Sequence, residues 1–194
     1  MLKTIFLVAL TLAIAIGGGT ASVWYVLNLQ NGVGAVTLDN WTAFPDLGTP
    51  DTDPYSKARV AREGILTLGR AEGLAFVAEH DSTGAELRRD CSYTVQGAVP
   101  PARFWTIYAA DETMNVIDSR KERAPALHSY EMLRQPDNSV AISVDTHPAP
   151  GNWLAIDGTG KMFLVLTLYD TTIASSTGVA DLELPRVTRA GCDA

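Results

Sequence analysis

The sequence predicts a mainly β protein, an antiparallel β-sandwich or jelly-roll-like domain with one packing α-helix, preceded by an N-terminal transmembrane helix. Three observations predict it: a long uncharged apolar segment, one helix-type pattern after it, and then short alternating segments separated by Gly-, Pro- and Asn-rich turns. The chain has 194 residues, enough for one ordinary domain plus an appendage. The expected organisation is a membrane anchor at 1–27, a linker leading into the domain at 28–52, and a periplasmic β-sandwich at 53–194.

Composition excludes several classes of protein. The chain has 22 acidic and 15 basic residues, a net charge of −7, which argues against a nucleic-acid binder because such a protein needs a basic face to neutralise phosphates. The sequence has no Gly-X-Y repeat and no polar low-complexity tract, and it has only two cysteines. Collagen-like, disordered and disulfide-dense proteins are therefore also excluded.

The N-terminal segment is expected to cross a membrane. No charged residue occurs between Lys3 and Asp39. Within that stretch residues 5–27 would form a helix of about 34 Å, which is long enough for a hydrocarbon core of roughly 30 Å. Trp24 and Tyr25 would then lie at the far interface, where amphipathic rings are favoured. We therefore expect an uncleaved anchor.

Two other interpretations of this segment stay open. It could be a signal peptide cleaved near the small residues Gly19 and Ala21, or a buried core helix of a cytosolic protein. With either an anchor or a signal peptide, Lys3 stays in the cytoplasm and the chain after about Asn28 is exported. The predicted location is the bacterial inner membrane, in a single-pass orientation with the N-terminus cytoplasmic and the C-terminal domain periplasmic.

The elements of the domain follow from local patterns. Asp53 is the predicted N-cap of the helix and Pro54 its first residue, and Gly69 and Gly73 are expected to end it. The more polar segment 111–134 is predicted to be a long crossover loop, with at most a short helix. Strands are predicted at 33–38, 74–79, 91–96, 103–109, 139–144 and 161–169, with a weak one near Leu182.

The two cysteines, Cys91 and Cys192, both lie in the part predicted to be exported. An even number of cysteines in an oxidising compartment favours a disulfide, which would close a loop of about 100 residues and stabilise the fold by about 4–5 kcal/mol in a chain-entropy model. A metal site is not expected, because two cysteines and three scattered histidines lack ligand spacing. No cofactor is expected either. A catalytic thiol would have no histidine nearby in sequence.

Aromatic strand residues are the candidates for ligand binding. In the strand predicted at 103–109, alternation places Arg103, Trp105 and Ile107 on one face and Phe104, Thr106 and Tyr108 on the other. The candidate ligand-binding residues are Arg103, Trp105, Tyr108, Asn152, Trp153 and Tyr169. A structural alternative stays open, in which Trp105 is a core aromatic and Arg103 is a buried arginine paired to a carboxylate or to loop carbonyls.

Several motifs occur in a fixed order along the chain. They are Asp53-Pro54-Tyr55 before a helix with Ala58 and Ala61-Arg62, then Asp81-x-x-Gly84, Cys91-x-Tyr93-x-x-x-Gly97, Pro101-Ala102-Arg103-Phe104-Trp105, Gly151-Asn152-Trp153-Leu154, Leu184-Pro185 and Cys192. This set resembles the bacterial domain of unknown function 1214 family, in its short version with a single membrane anchor. The resemblance implies a β-rich periplasmic domain and favours pairing of the two cysteines. It supplies no reaction and no catalytic residues. Relatives tend to have an arginine where this chain has Thr167.

The expected function is that of a membrane-anchored cell-envelope protein, a non-catalytic binding or structural module exposed to the periplasm. Its expected partners are the membrane, through the N-terminal helix, and an envelope glycan, lipid or protein. This expectation combines the aromatic strands with the lack of an assembled catalytic set, since the adjacent His80-Asp81-Ser82 cannot relay a proton as a triad. The alternative is an envelope enzyme acting on a glycan or lipid through a cleft near Arg103 and Trp105.

Overall fold

A computed structural model describes residues 2–28, 34–50, 52–64, 66–69, 71–118, 124–175 and 182–192. These residues form two α-helices, ten strands and one short 3-10 helix, Thr172–Ser175. The helices are α1 (Leu2–Leu27) and α2 (Pro54–Glu63). The strands are β1 (Val36–Leu38), β2 (Trp41–Ala43), β3 (Gly73–Ala78), β4 (Cys91–Gly97), β5 (Phe104–Ala110), β6 (Ala126–His128), β7 (Val140–Asp145), β8 (Asn152–Ala155), β9 (Phe163–Tyr169) and β10 (Arg186–Cys192).

The strands form two sheets. One has six antiparallel strands in the order β1-β2-β3-β9-β5-β6, and the other has four in the order β10-β4-β7-β8. Within the second sheet only the β7–β8 pair is parallel. The predicted mainly β fold with one packing helix and an N-terminal apolar helix is confirmed, apart from that parallel pair.

The core lies between the two sheets and follows the period-two alternation of the strands. Its largest buried side chains come from both sheets and include Trp41, Phe76, Trp105, Ile107, Leu166, Tyr93, Ile142 and Leu154. The indole N–H of Trp41 donates a 2.7 Å hydrogen bond to the Pro185 carbonyl. This bond gives the indole N–H a hydrogen-bond partner although the ring is fully buried.

The caps of α2 explain its length. Asp53 accepts hydrogen bonds from the backbone N–H groups of Tyr55 and Ser56, and Pro54 occupies the first turn, as predicted. The expected end at Gly69 is wrong. The helix stops earlier because Gly64 adopts the left-handed conformation, φ 64°, and its N–H donates to the Val60 carbonyl.

Some strands differ from the prediction. Strand β1 lies within the segment 33–38 predicted to be a strand, whereas β2 lies in the expected linker and was not predicted. Both belong to the six-stranded sheet. The last strand, expected near Leu182, is β10, and it pairs with β4. Within the predicted crossover loop the described residues include β6, which pairs with β5, while residues 119–123 lie outside the described part.

Helix α1 is long and apolar enough to cross a membrane. None of its residues is buried. Its C-terminal end contacts α2, where the Arg62 guanidinium donates a 3.0 Å hydrogen bond to the Leu27 carbonyl. Arg62 therefore links the apolar helix to the β-rich part of the chain.

Two interactions hold β10 in place. Cys192 faces Cys91 directly in the β10–β4 register, and the two form a disulfide. The fully buried carboxylate of Asp81 also lies 3.0 Å from Arg189 Nε. Burial acts to raise the pKa of Asp81, but hydrogen bonds from Thr83 and Ala85 and the charge of Arg189 outweigh it, so that the net pKa is below its ordinary value.

Replacing one cysteine should test the covalent tie. Cys192→Ser removes a cross-link between residues 101 positions apart, so we expect the free energy of unfolding to fall by about 4–5 kcal/mol. Thermal unfolding of the full-length protein, followed by circular dichroism, measures the loss. Thr188→Ser, an exposed change on the same strand, is the control. An unchanged midpoint in Cys192→Ser, or two free thiols in non-reducing mass spectrometry, would contradict the expectation.

Asp81→Asn should change how stability depends on pH. Because the folded pKa of Asp81 is lowered, its ionised form stabilises the wild type above about pH 4, and this contribution disappears as the pH falls through the folded pKa. The variant should lose about 3 kcal/mol at pH 7 and respond less to acid. Unfolding midpoints from pH 7 to pH 3 test this, with the exposed Asp118→Asn as control. Parallel acid profiles of wild type and Asp81→Asn would refute it.

Candidate functional site

The outer face of the six-stranded sheet carries a large groove. Its volume is about 910 Å³, within the usual range for small-molecule sites. The floor is formed by outward-facing residues of β3, β9 and β5. The walls come from α2, from residues 66–68, from Leu27 at the end of α1 and from Asn28 just after it.

The groove lies over β9, which is buried on both of its faces. Leu164, Leu166 and Leu168 enter the core, yet the outward-facing Val165 and Thr167 are also only 3% and 6% exposed. An antiparallel sheet commonly leaves one face to water, so this second buried face needs a cover. Helix α2 and residues 66–68 provide part of it and leave the groove beside them.

A close backbone approach sets one wall of the groove. At Gly48 an added Cβ would lie 2.1 Å from the Leu68 carbonyl oxygen, so no other residue fits without moving the chain. Leu68 and its neighbours Leu66 and Thr67 line the groove. The glycine therefore lets this segment pack against the loop after β2.

The polar groups that line the groove include two arginines and two carboxylates, those of Glu79 and Glu112. Arg59 and Arg62 of α2 line it, and the Arg59 guanidinium also lies 5.9 Å from the centre of the Phe44 ring. Burial, with a smaller contribution from Tyr169, raises the pKa of Tyr108 above its ordinary value. The Tyr108 phenol therefore stays protonated at neutral pH and can donate a hydrogen bond to a ligand oxygen.

The sequence-predicted site residues separate into different places. Tyr108 and Tyr169 line the groove together. Trp105 is 2% exposed and belongs to the core between the sheets. Arg103 lies just before β5, with its side chain 79% exposed and 3.5 Å from Asp170. The expectation that Arg103 extends the face of Trp105 is wrong, because the strand begins only at Phe104.

Asn152 and Trp153 lie on β8, in the other sheet. The Asn152 side chain bridges the loop after β6 and strand β7: it accepts from the Leu133 N–H and donates to the carbonyls of Leu133 and Ala141. The Trp153 indole donates a 3.0 Å bond to the Asp145 carbonyl. A ligand-binding role for these two residues stays a prediction, and their contacts serve the fold.

An aromatic cluster, which sequence reasoning missed as a unit, lies next to the groove. The Phe104 ring is its centre. The ring centroids of His128, Tyr130 and Tyr169 lie 5.8, 5.4 and 5.8 Å from that of Phe104. Phe104 and Tyr169 are opposite each other in the β5–β9 register. Strand alternation placed Phe104 with Tyr108, but His128 and Tyr130 come from a segment expected to be a loop.

A smaller polar cavity of about 650 Å³ lies near the turn after β3. His80, Asp81, Asp39 and Arg186 are among its lining residues. In the described part of the chain no group of three or more His, Cys, Asp or Glu side chains could hold a metal ion. The larger groove is therefore the stronger candidate site.

The bridging by Asn152 can be tested directly. In Asn152→Ala the Leu133 N–H and two carbonyls lose their partner, so we expect the free energy of unfolding to fall by about 2–3 kcal/mol. Thermal unfolding measures it, and Asn115→Ala, in an exposed loop, should cost far less. Unchanged stability of Asn152→Ala would mean that these bonds are dispensable and would return Asn152 to the ligand-binding candidates.

Comparison with known proteins identifies a protein of similar fold and the family of the chain. No curated protein is significantly similar in sequence. The VPA0106 protein from Vibrio parahaemolyticus is structurally similar, with a TM-score of 0.57 and 14% identity over 70% of this chain and 35% of that chain. An uncharacterized protein from Burkholderia cenocepacia has a TM-score of 0.38 and 17% identity over 75% of this chain and 44% of that one.

These structural comparisons concern the fold alone. This chain spans about a third of the length of the Vibrio protein and less than half of the Burkholderia protein. The family model described as "Protein of unknown function (DUF1214)" matches residues 72–173, just over half of the chain. The chain belongs to the DUF1214 family.

Proposed function

We propose that this protein is a membrane-anchored binding module that holds the acyl chain of an amphiphile in the groove at the membrane surface. The observation that carries the proposal is the groove of about 910 Å³ on the outer face of the sheet, bordered by the last residue of α1. A site that is largely apolar and adjoins a helix able to cross a membrane suits a ligand that comes from the lipid.

The membrane attachment is part of the proposal. Trp24 and Tyr25 are exposed near the C-terminal end of α1, as suits rings at a membrane interface. With Lys3 on the cytoplasmic side, the β-sandwich would lie in the periplasm, anchored to the bacterial inner membrane. The hydrogen bond from Arg62 to Leu27 would then hold the groove close to the lipid headgroups.

The chemistry of the groove favours an acyl chain. Its floor includes Ala75, Val77 and Phe163 beside the buried Val165, and covering apolar surface contributes about 25 cal/mol per Å². Arg59, Arg62 and the neutral phenol of Tyr108 supply donors for the ester or carboxylate oxygens at the root of such a chain. One long apolar chain with a few acceptor oxygens at its end matches this arrangement.

Binding is favoured over catalysis by the placement of the candidate residues. The enzyme alternative relied on a cleft shared by Arg103 and Trp105. Trp105 is enclosed in the core, whereas Arg103 projects into solvent beside Asp170. The two residues therefore do not share a cleft in which a reaction could take place, and binding of an acyl chain in the groove needs no catalytic residue.

Filling the groove should abolish binding. Ala75 lies on the outer face of β3 and lines the groove, so an indole in Ala75→Trp would occupy the space of the acyl chain. The test is photo-cross-linking of full-length protein in phosphatidylcholine nanodiscs with a diazirine-bearing fatty acid, mapped by mass spectrometry. We expect labelling of β3 and β9 to fall about tenfold, equivalent to about 1.4 kcal/mol of binding.

The matched control is Ala141→Trp. Ala141 is also a half-buried alanine within a central strand, but it lies in β7 of the other sheet, so its replacement should leave labelling unchanged. Both variants are first compared with wild type by thermal unfolding. Labelling confined to α1 in the wild type, or equal labelling in Ala75→Trp and wild type, would contradict the proposal.

A further inference from the structure

The groove continues into an exposed aromatic surface. Tyr169 lines the groove, and it is also a member of the aromatic cluster formed by Phe104, His128, Tyr130 and Tyr169, with its ring centroid 5.8 Å from that of Phe104. Tyr130 is 75% exposed, so the cluster presents an open ring face. A ligand whose chain lies in the groove would therefore bring its headgroup onto the cluster.

The charges around the cluster oppose an anionic headgroup. Arg103 is matched by Asp170, with 3.5 Å between Nη1 and Oδ2. A second carboxylate, that of Glu131, lies 3.2 Å from His128 Nε2. One guanidinium and two carboxylates give no excess of positive charge at the cluster. Among the residues that line the groove, the two arginines, Arg59 and Arg62, are equalled in number by two carboxylates, Glu79 and Glu112. The rim therefore offers both donors and acceptors of hydrogen bonds but does not attract a phosphate.

A sugar ring matches this combination. Its C–H face is slightly positive and stacks on the electron-rich face of an aromatic ring, while its hydroxyl groups both donate to carboxylates and accept from a guanidinium. Phosphocholine would place a phosphate among the carboxylates, and phosphatidylglycerol would add a net negative charge. Of these headgroups, a neutral sugar is the one that can both stack on the aromatic rings and form hydrogen bonds with the members of the ion pairs.

We propose that the amphiphile bound by this protein is a neutral glycolipid, with its acyl chain in the groove and its sugar stacked on the aromatic cluster. The proposal rests on the proposed function, because it assigns the headgroup of the ligand whose chain the groove holds. Tyr130 is the contact residue for the sugar. Its ring also packs against Phe104, with 5.4 Å between the ring centroids, and this contact does not need the hydroxyl.

The experiment compares lipids that differ only in their headgroup. Full-length protein is placed in phosphatidylcholine nanodiscs with a trace of one lipid carrying a diazirine in its acyl chain: monoglucosyl diacylglycerol, phosphatidylcholine or phosphatidylglycerol, with identical chains. Labelled residues are located by mass spectrometry. The variants are Tyr130→Ala, which removes the ring, and Tyr130→Phe, which keeps it. Leu133→Ala, a change of an exposed side chain in the same loop, is the control.

We expect the glucosyl lipid to label the groove strands roughly fivefold more than either phospholipid. A preference of this size corresponds to the binding free energy of about one aromatic contact. Tyr130→Ala should lower its labelling to the phosphatidylcholine level, whereas Tyr130→Phe and Leu133→Ala should keep the preference.

Equal groove labelling by all three lipids, a preference for phosphatidylglycerol, or a glucosyl preference that survives in Tyr130→Ala would overturn the glycolipid inference and leave acyl binding intact. Absence of groove labelling by every lipid would overturn both proposals.

Discussion

The burial of β9 on both of its faces is the constraint on which the rest of the structure depends. Three leucines of this strand fill the space between the sheets, and Val165 and Thr167 on the opposite face are almost as well enclosed. Such a strand cannot lie in a two-layer sandwich with one face in water, because its outer face would expose apolar surface. A third layer over the six-stranded sheet is therefore required.

That third layer covers only part of the sheet, and the uncovered part is the groove. A ten-residue helix with firm caps at Asp53 and Gly64, together with residues 66–68, covers only part of the outer face. The end of α1 is joined to this cover through Arg62. The groove is thus shaped by the same elements that connect the β-sandwich to the apolar helix, and this position supports the proposal of an acyl-chain ligand.

Features that depend on local chemistry could be predicted from the sequence. The N-cap at Asp53 and Pro54 and the alternating strands β4, β5 and β7 follow from neighbouring residues alone. Pairing of Cys91 with Cys192 was expected from their number and compartment. Strand β2 could not be recognised, because its three residues are too few to show a period. Its place in the sheet is determined by pairing with β3.

The candidate site was predicted only in part for a similar reason. Alternation along β5 separates Trp105 from Tyr108, but it cannot tell which face meets the other sheet when both carry aromatic residues. Trp105 was therefore named as a ligand candidate with a core role left open, and it is a core residue. Tyr108 and Tyr169 were both named as candidates and both line the groove, whereas the arginines of α2 were not among the candidates. Arg59 and Arg62 could be recognised as lining residues only once the position of α2 over the sheet was known, and no local sequence pattern predicts that position.

The pairing of β10 with β4 has a consequence for how the chain acquires its structure during synthesis. Strand β4 leaves the ribosome about a hundred residues before its partner, and β3 waits similarly long for β9. Both sheets therefore keep open edges until β9 and β10 have been synthesised, and open edges invite aggregation. Pairings so distant in sequence also form slowly. The newly made chain is consequently prone to aggregate for as long as the 101 positions from Cys91 to Cys192 take to be synthesised.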